Sequence, residues 1–124
     1  MKNVINWFEI PVKNFATAKS FYQTVLNAPL TDSPNPTIQY AFLPIDQNQG
    51  GIGGALIQAE NNEPSMNGTT VYLNGGNDLS DSLSRVEAAG GKIILPKTEI
   101  GGGMGFMALF IDSEGNKVGL HSME

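Results

Sequence analysis

The chain has no cysteine and only one histidine and one tryptophan among its 124 residues. Without thiols there can be no disulfide, no thiolate metal ligand and no cysteine nucleophile, so any metal would need oxygen or imidazole donors. Basic residues are also few: seven Lys and Arg stand against twelve Asp and Glu, and the net charge of −5 is spread without long runs. The clustered positive charge that nucleic acid requires is missing. No apolar run approaches the ~20 residues that span a bilayer. The start, MKNVINWFEIPV, lacks a charged leader followed by a long apolar segment and a small-residue cleavage site. The expectation is a soluble cytoplasmic protein with neither nucleic acid nor membrane as partner.

What is present suits a globular domain, with 40% hydrophobic and 15% charged residues. A length of 124 residues fits one domain over 1–124 with a core of its own. NVINWFEIPV alternates as a strand, and Asn14 can then cap a helix through FATAKSFYQTVL, where Phe15, Ala18, Phe21, Tyr22 and Val25 recur at helical spacing. Pro29 in NAPL ends that helix. TIQYAFLPI and GIGGALIQA read as two strands around the polar loop DQNQGG. After the linker ENNEPSMNG the order restarts: TTVYLNG as strand, then a helix capped by Asp78 with Leu79, Leu83 and Val86 as its stripe, stopped at Gly90-Gly91. KIILP, MGFMALFID and KVGLHSM follow as strands, with DSEGN a turn.

Repeat two reads strand, helix, strand, strand, strand, and the chain is taken as two copies of that order although only two strands are assigned after the first helix, with repeat one at about 1–59, a linker at about 60–67 and repeat two at about 68–124. Laying the first strand on the fifth pairs Trp7 with Thr69 and Phe21 with Leu83. One such half cannot hide both faces of its sheet. The fold class expected is therefore α+β, two βαβββ repeats forming a curved mixed sheet around a cavity, with the helices outside.

Four segments in this order, WFEIPVKNFATAKSFYQTVL, GGALI, VEAAGGKIILP and FIDSEGNKVGL, resemble the vicinal oxygen chelate superfamily, which holds glyoxalase I, ring-cleaving dioxygenases, fosfomycin-resistance enzymes and bleomycin-resistance proteins. The resemblance covers nearly the whole chain and implies a fold more than a chemistry. It also implies metal-ligand positions on the first and last strands of each repeat, usually His, Glu or Gln. Carried over, these fall at Trp7, at Gly54 to within one residue, at Thr69 and at Gly119. An indole and two glycines offer no donor of the kind a metal needs, so the expectation is no metal and no cofactor.

Strand alternation puts Glu9 on the face of Trp7, and His121 on that of Gly119. Glu9 and His121 read either as an acid/base pair handling a polar group, and so as the catalytic candidates, or as a partly solvated ion pair. Trp7 reads as a wall for stacking or as filler, and the glycines as open space or as room for Trp7. EIGGGMGFM lacks the Lys-Ser or Lys-Thr of a phosphate loop and reads as a flexible hairpin or lid, with Met104, Phe106 and Met107 as apolar contacts or core. The leading expectation is a metal-free protein that encloses a small apolar or aromatic ligand, as bleomycin-resistance-like relatives do, through Trp7, Glu9, Gly54, Thr69, Phe106, Gly119 and His121. The resemblance further implies a homodimer. The alternative is a lyase or dioxygenase with a non-standard metal site or with Glu9 as general base.

Overall fold

A computed structural model describes residues 3–35 and 37–124; Met1, Lys2 and Pro36, and with them the first two positions of the N-terminal stretch, lie outside the described residues. Strand β1 (Trp7–Pro11) leads into helix α1 (Phe15–Leu26), followed by β2 (Thr31–Asp32), β3 (Gln39–Phe42) and β4 (Gly53–Gln58). The second half repeats this with β5 (Tyr72–Asn74), α2 (Ser80–Leu83), β6 (Lys92–Glu99), β7 (Phe106–Ile111) and β8 (Lys117–Ser122). Two four-stranded mixed sheets result, in the orders β1-β4-β3-β2 and β5-β8-β7-β6, with β1 parallel to β4 and β5 parallel to β8. The expected α+β fold of two βαβββ units is what the chain adopts, and β2, for which no strand was expected, completes the first unit.

Helix α1 begins where the sequence places it. The Asn14 side chain accepts a hydrogen bond from the Thr17 N–H at 3.1 Å. Its stop is set earlier than Pro29, by Asn27 in the left-handed conformation at φ 52°, whose N–H returns to the Thr24 carbonyl. Ala18, Phe21, Tyr22 and Val25 are all buried. The second helix is shorter than expected. Only Ser80–Leu83 is α-helical, and the chain continues to Gly91 in tighter turns such as Arg85 N–H to Ser82 O and Val86 N–H to Leu83 O. Ser84 donates its hydroxyl to the Asp81 carbonyl, and such local bonds compete with the helical ladder. The apolar stripe survives, since Leu79, Leu83 and Val86 are buried.

Each sheet has a core face and an open face. Phe8, Ile10 and Val12 turn inward with Leu56 and Ala41, as do Val118, Leu120, Ala108 and Phe110 from the other sheet, and both sets join one hydrophobic cluster with the two helices. Phe21 of α1 lies 6.0 Å from Phe110 of β7 between ring centroids, and Arg85 Nε donates to the Val25 carbonyl at 3.0 Å. The turn after β7 is fixed by a buried carboxylate. Asp112 accepts from the Tyr22 hydroxyl at 2.6 Å, from the Glu114 and Asn116 N–H groups and from the Asn116 amide, and Asn116 Nδ2 also donates to the Pro11 carbonyl. Burial and the adjacent Asp112 raise the Tyr22 phenol well above its ordinary range. No helix among the described residues is long and apolar enough to cross a membrane.

Candidate functional site

Between the edge strands β1 and β5 runs an open cleft of about 1000 Å³, lined by Trp7, Leu43, Gly53, Thr69, Thr70 and Tyr72 among others. Trp7 and Tyr72 keep 44% and 48% of their surface exposed although both are large apolar rings. Each is seated in the same way. In the parallel pairing Trp7 stands beside Gly53 and Tyr72 beside Gly119. A Cβ on Gly53 would meet Trp7 Cζ3 at 2.9 Å, and one on Gly119 would fall against the ring carbons of Tyr72. The glycines are needed because the rings lie flat over them.

This register resolves the one-residue latitude left at Gly54. The position paired with Trp7 is Gly53; Gly54 pairs with Phe8 and lies on the core face, where the Phe8 ring covers it, although it also borders the cleft. In the second repeat Leu73 beside Leu120 matches Ile10 beside Leu56, so the counterpart of Trp7 is Thr70, next to the expected Thr69, and Tyr72 beside Gly119 takes the place that Glu9 beside Ala55 holds in the first; Thr69 and Thr70 both line the cleft.

On the open face of the N-terminal sheet, Trp7 Nε1 donates to the Tyr40 hydroxyl at 2.8 Å, and that hydroxyl donates to Glu9 Oε2 at 2.8 Å. Phe42 stands edge-to-face to both neighbours, with centroids 6.0 Å from Trp7 and 5.5 Å from Tyr40 and interplanar angles of 72° and 80°. Desolvation, followed by the hydrogen bond to Glu9, raises the Tyr40 phenol above its ordinary value, while the bond from Trp7 acts the other way. Tyr40 and Phe42 escaped the sequence reading because QYAF carries no polar/apolar alternation. Pairing of Tyr40 with Ile57 and Phe42 with Ala55 puts them on the face of Glu9 and Trp7.

Glu9 and His121 do not form a pair. His121 lies on the open face of the other sheet, opposite Met107 on β7, and its Nε2 meets the Met104 carbonyl at 2.7 Å, a contact that requires the proton on Nε2. Among the described residues no hydrogen bond or ion pair joins it to Glu9. His121 thereby fastens the 101–105 hairpin, whose Gly101, Gly102, Gly103 and Gly105 all have positive φ, onto β8. That hairpin does not line the cleft, so it is no lid over it. Phe106 is likewise outside the cleft: it packs against the core beneath Lys97, whose Nζ lies 4.6 Å from its ring centroid.

The positions to which the resemblance assigns metal ligands hold Trp7, Gly54 or its neighbour Gly53, Thr69 or its neighbour Thr70, and Gly119, a set without carboxylate or imidazole. Among the described residues no three His, Asp or Glu side chains converge. These residues do not fit a metal of the superfamily type.

A family model, the Glyoxalase/Bleomycin resistance protein/Dioxygenase superfamily, matches residues 4–120, and the chain belongs to that superfamily. Its fold is similar to a glyoxalase/bleomycin resistance protein from Albidiferax ferrireducens T118, with a TM-score of 0.75 and 16% identity over 95% of this chain and 97% of the other. It is also similar to the genomically encoded fosfomycin resistance protein FosX from Listeria monocytogenes, with a TM-score of 0.65 and 16% identity over 98% and 92%. Against a glyoxalase I mutant from Zea mays the TM-score is 0.67 at 22% identity, over 94% of this chain and 45% of the other. No curated protein sequence matches the chain.

Proposed function

We propose that this protein binds a small planar, largely apolar or aromatic molecule in the cleft between β1 and β5, without a metal. The reading rests on one observation: in both sheets the parallel strand pair beside the cleft carries a half-exposed aromatic ring seated on a glycine, Trp7 on Gly53 and Tyr72 on Gly119, and both rings border the same cleft. A cleft with apolar walls and few polar groups suits such a ligand. A second copy of the chain belongs to the same reading, because Val4, Ile5, Ile52 and Met104 add exposed apolar surface to that of Trp7 and Tyr72.

The test loads the purified protein with Zn, Ni, Mn or Fe(II) in turn, desalts it, and combines metal analysis with native mass spectrometry and Trp7 fluorescence. The expected result is less than about a tenth of a metal per chain, a dimer mass, and quenching of Trp7 by planar aromatic compounds that is lost in Tyr72→Ala. Near-stoichiometric metal that disappears in Glu9→Gln or His121→Ala would overturn the reading and make this an enzyme with a relocated centre.

A further inference from the structure

The open face of the N-terminal sheet has a one-sided chemistry. Its two good donors are spent internally, the Trp7 indole N–H on Tyr40 and the Tyr40 hydroxyl on Glu9. What remains to present outward is the π-surface of three rings and a carboxylate. Glu9 Oε1 accepts no hydrogen bond among the described residues, whose ion pairs are Lys13 with Glu63, Lys19 with Asp32 and Lys97 with Asp78. Lys117 lines the same small recess as Glu9, of about 40 Å³, but forms no ion pair with it. The carboxylate is therefore held in place by a neutral phenol and not neutralised by a cation.

Glu9, Tyr40, Phe42 and Trp7 themselves offer an anion no cationic side chain and no uncommitted donor. Phe42 stands nearly perpendicular to both Trp7 and Tyr40, so the rings form walls and not a closed stack, and electron-rich rings beside a carboxylate are complementary to a desolvated organic cation. The net charge of −5 adds a weak field of the same sign. We propose that Glu9, Tyr40, Phe42 and Trp7 form a subsite for an organic cation, an alkylammonium or an N-alkylated heteroaromatic ring, which fixes the charged part of a ligand whose planar part lies in the cleft. This deepens the reading above and rests on it through Trp7, which borders both places.

A matched pair of probes separates the two claims. N-methylquinolinium and quinoline are nearly the same shape, and at pH 7.5 only the first is charged. Calorimetric titration at low salt should show the cation binding on the order of tenfold more tightly, with that advantage shrinking as salt is raised. In Glu9→Gln the ratio of the two affinities should fall toward one. Equal affinities in the unaltered protein, or tighter binding of quinoline, would overturn the cation subsite and leave the planar-ligand reading standing. Binding of neither probe would overturn both. The ratio in the unaltered protein decides the matter even if the variant folds poorly.

Discussion

Gly119 has no side chain because the ring of Tyr72 fills the place where one would start. From the sequence this glycine could be read as a vacated ligand position, which identifies what is missing but not what replaced it. The replacement was invisible because it depends on which residue of β5 lies beside Gly119, and no local pattern encodes the pairing of β5 with β8. In Gly119→Ala the methyl group must displace the ring, and overpacking of this kind costs about 1–3 kcal/mol. Urea unfolding should show that loss, and ligands that quench Trp7 should bind more weakly as Tyr72 leaves its seat. Unchanged stability and binding would mean that the ring does not rest there in solution. Glu9 and Trp7 were legible as neighbours on one face, since strand parity alone fixes that. Their connection through Tyr40 was not, since it depends on a pairing with β3 that no local pattern encodes.

At the scale of elements, β6 runs through Pro96 to Glu99, where the sequence reading stopped it at the proline. It lies at the edge of its sheet and its register with β7 shifts on either side of Leu95, so the missing N–H costs no ladder bond that the strand needs. Asp78 joins this strand to α2: its Oδ1 accepts from the Ser80 N–H and from Lys97 Nζ, both at 2.9 Å. The hydrogen bond from the Ser80 N–H and then the Lys97 ammonium lower its pKa to about 2 from an ordinary 3.8. With the folded value depressed, the contribution of Asp78 is fully present above the unfolded pKa and is lost as pH falls from about 4 through about 2. Asp78→Asn should therefore be less stable than the parent chain at pH 6, and the gap should narrow by pH 2. Unfolding midpoints at several pH values check this; a gap that does not change with pH would remove the carboxylate from the account.

On the scale of the whole molecule, the two βαβββ units share one core. Phe21 of the first packs on Phe110 of the second, Tyr22 bonds Asp112, and the Glu114 carboxylate accepts from the N–H groups of Lys13 and Asn14 at 2.7 and 2.6 Å. The duplicated order of elements was readable from hydrophobic period and turn residues, but this mutual burial was not, because it depends on contacts about ninety residues apart. Heat or urea should accordingly unfold the chain in a single cooperative transition, and a fragment of residues 1–62 should lack fixed tertiary structure. Two separate transitions, or a folded fragment with dispersed amide resonances, would contradict the shared core.

The rings seated on glycine also constrain how such a protein can change over generations. Glutamate at Gly119 has no room while Tyr72 is present, and a smaller residue at Tyr72 uncovers a bare backbone while Gly119 remains. The same holds for Trp7 and Gly53 in the other sheet. Neither member of a pair can be exchanged profitably alone, so these positions are epistatically locked. A lineage carrying both locks would have to cross two unfavourable intermediates to rebuild a ligand set of the metal-binding kind, which makes the present arrangement a ratchet.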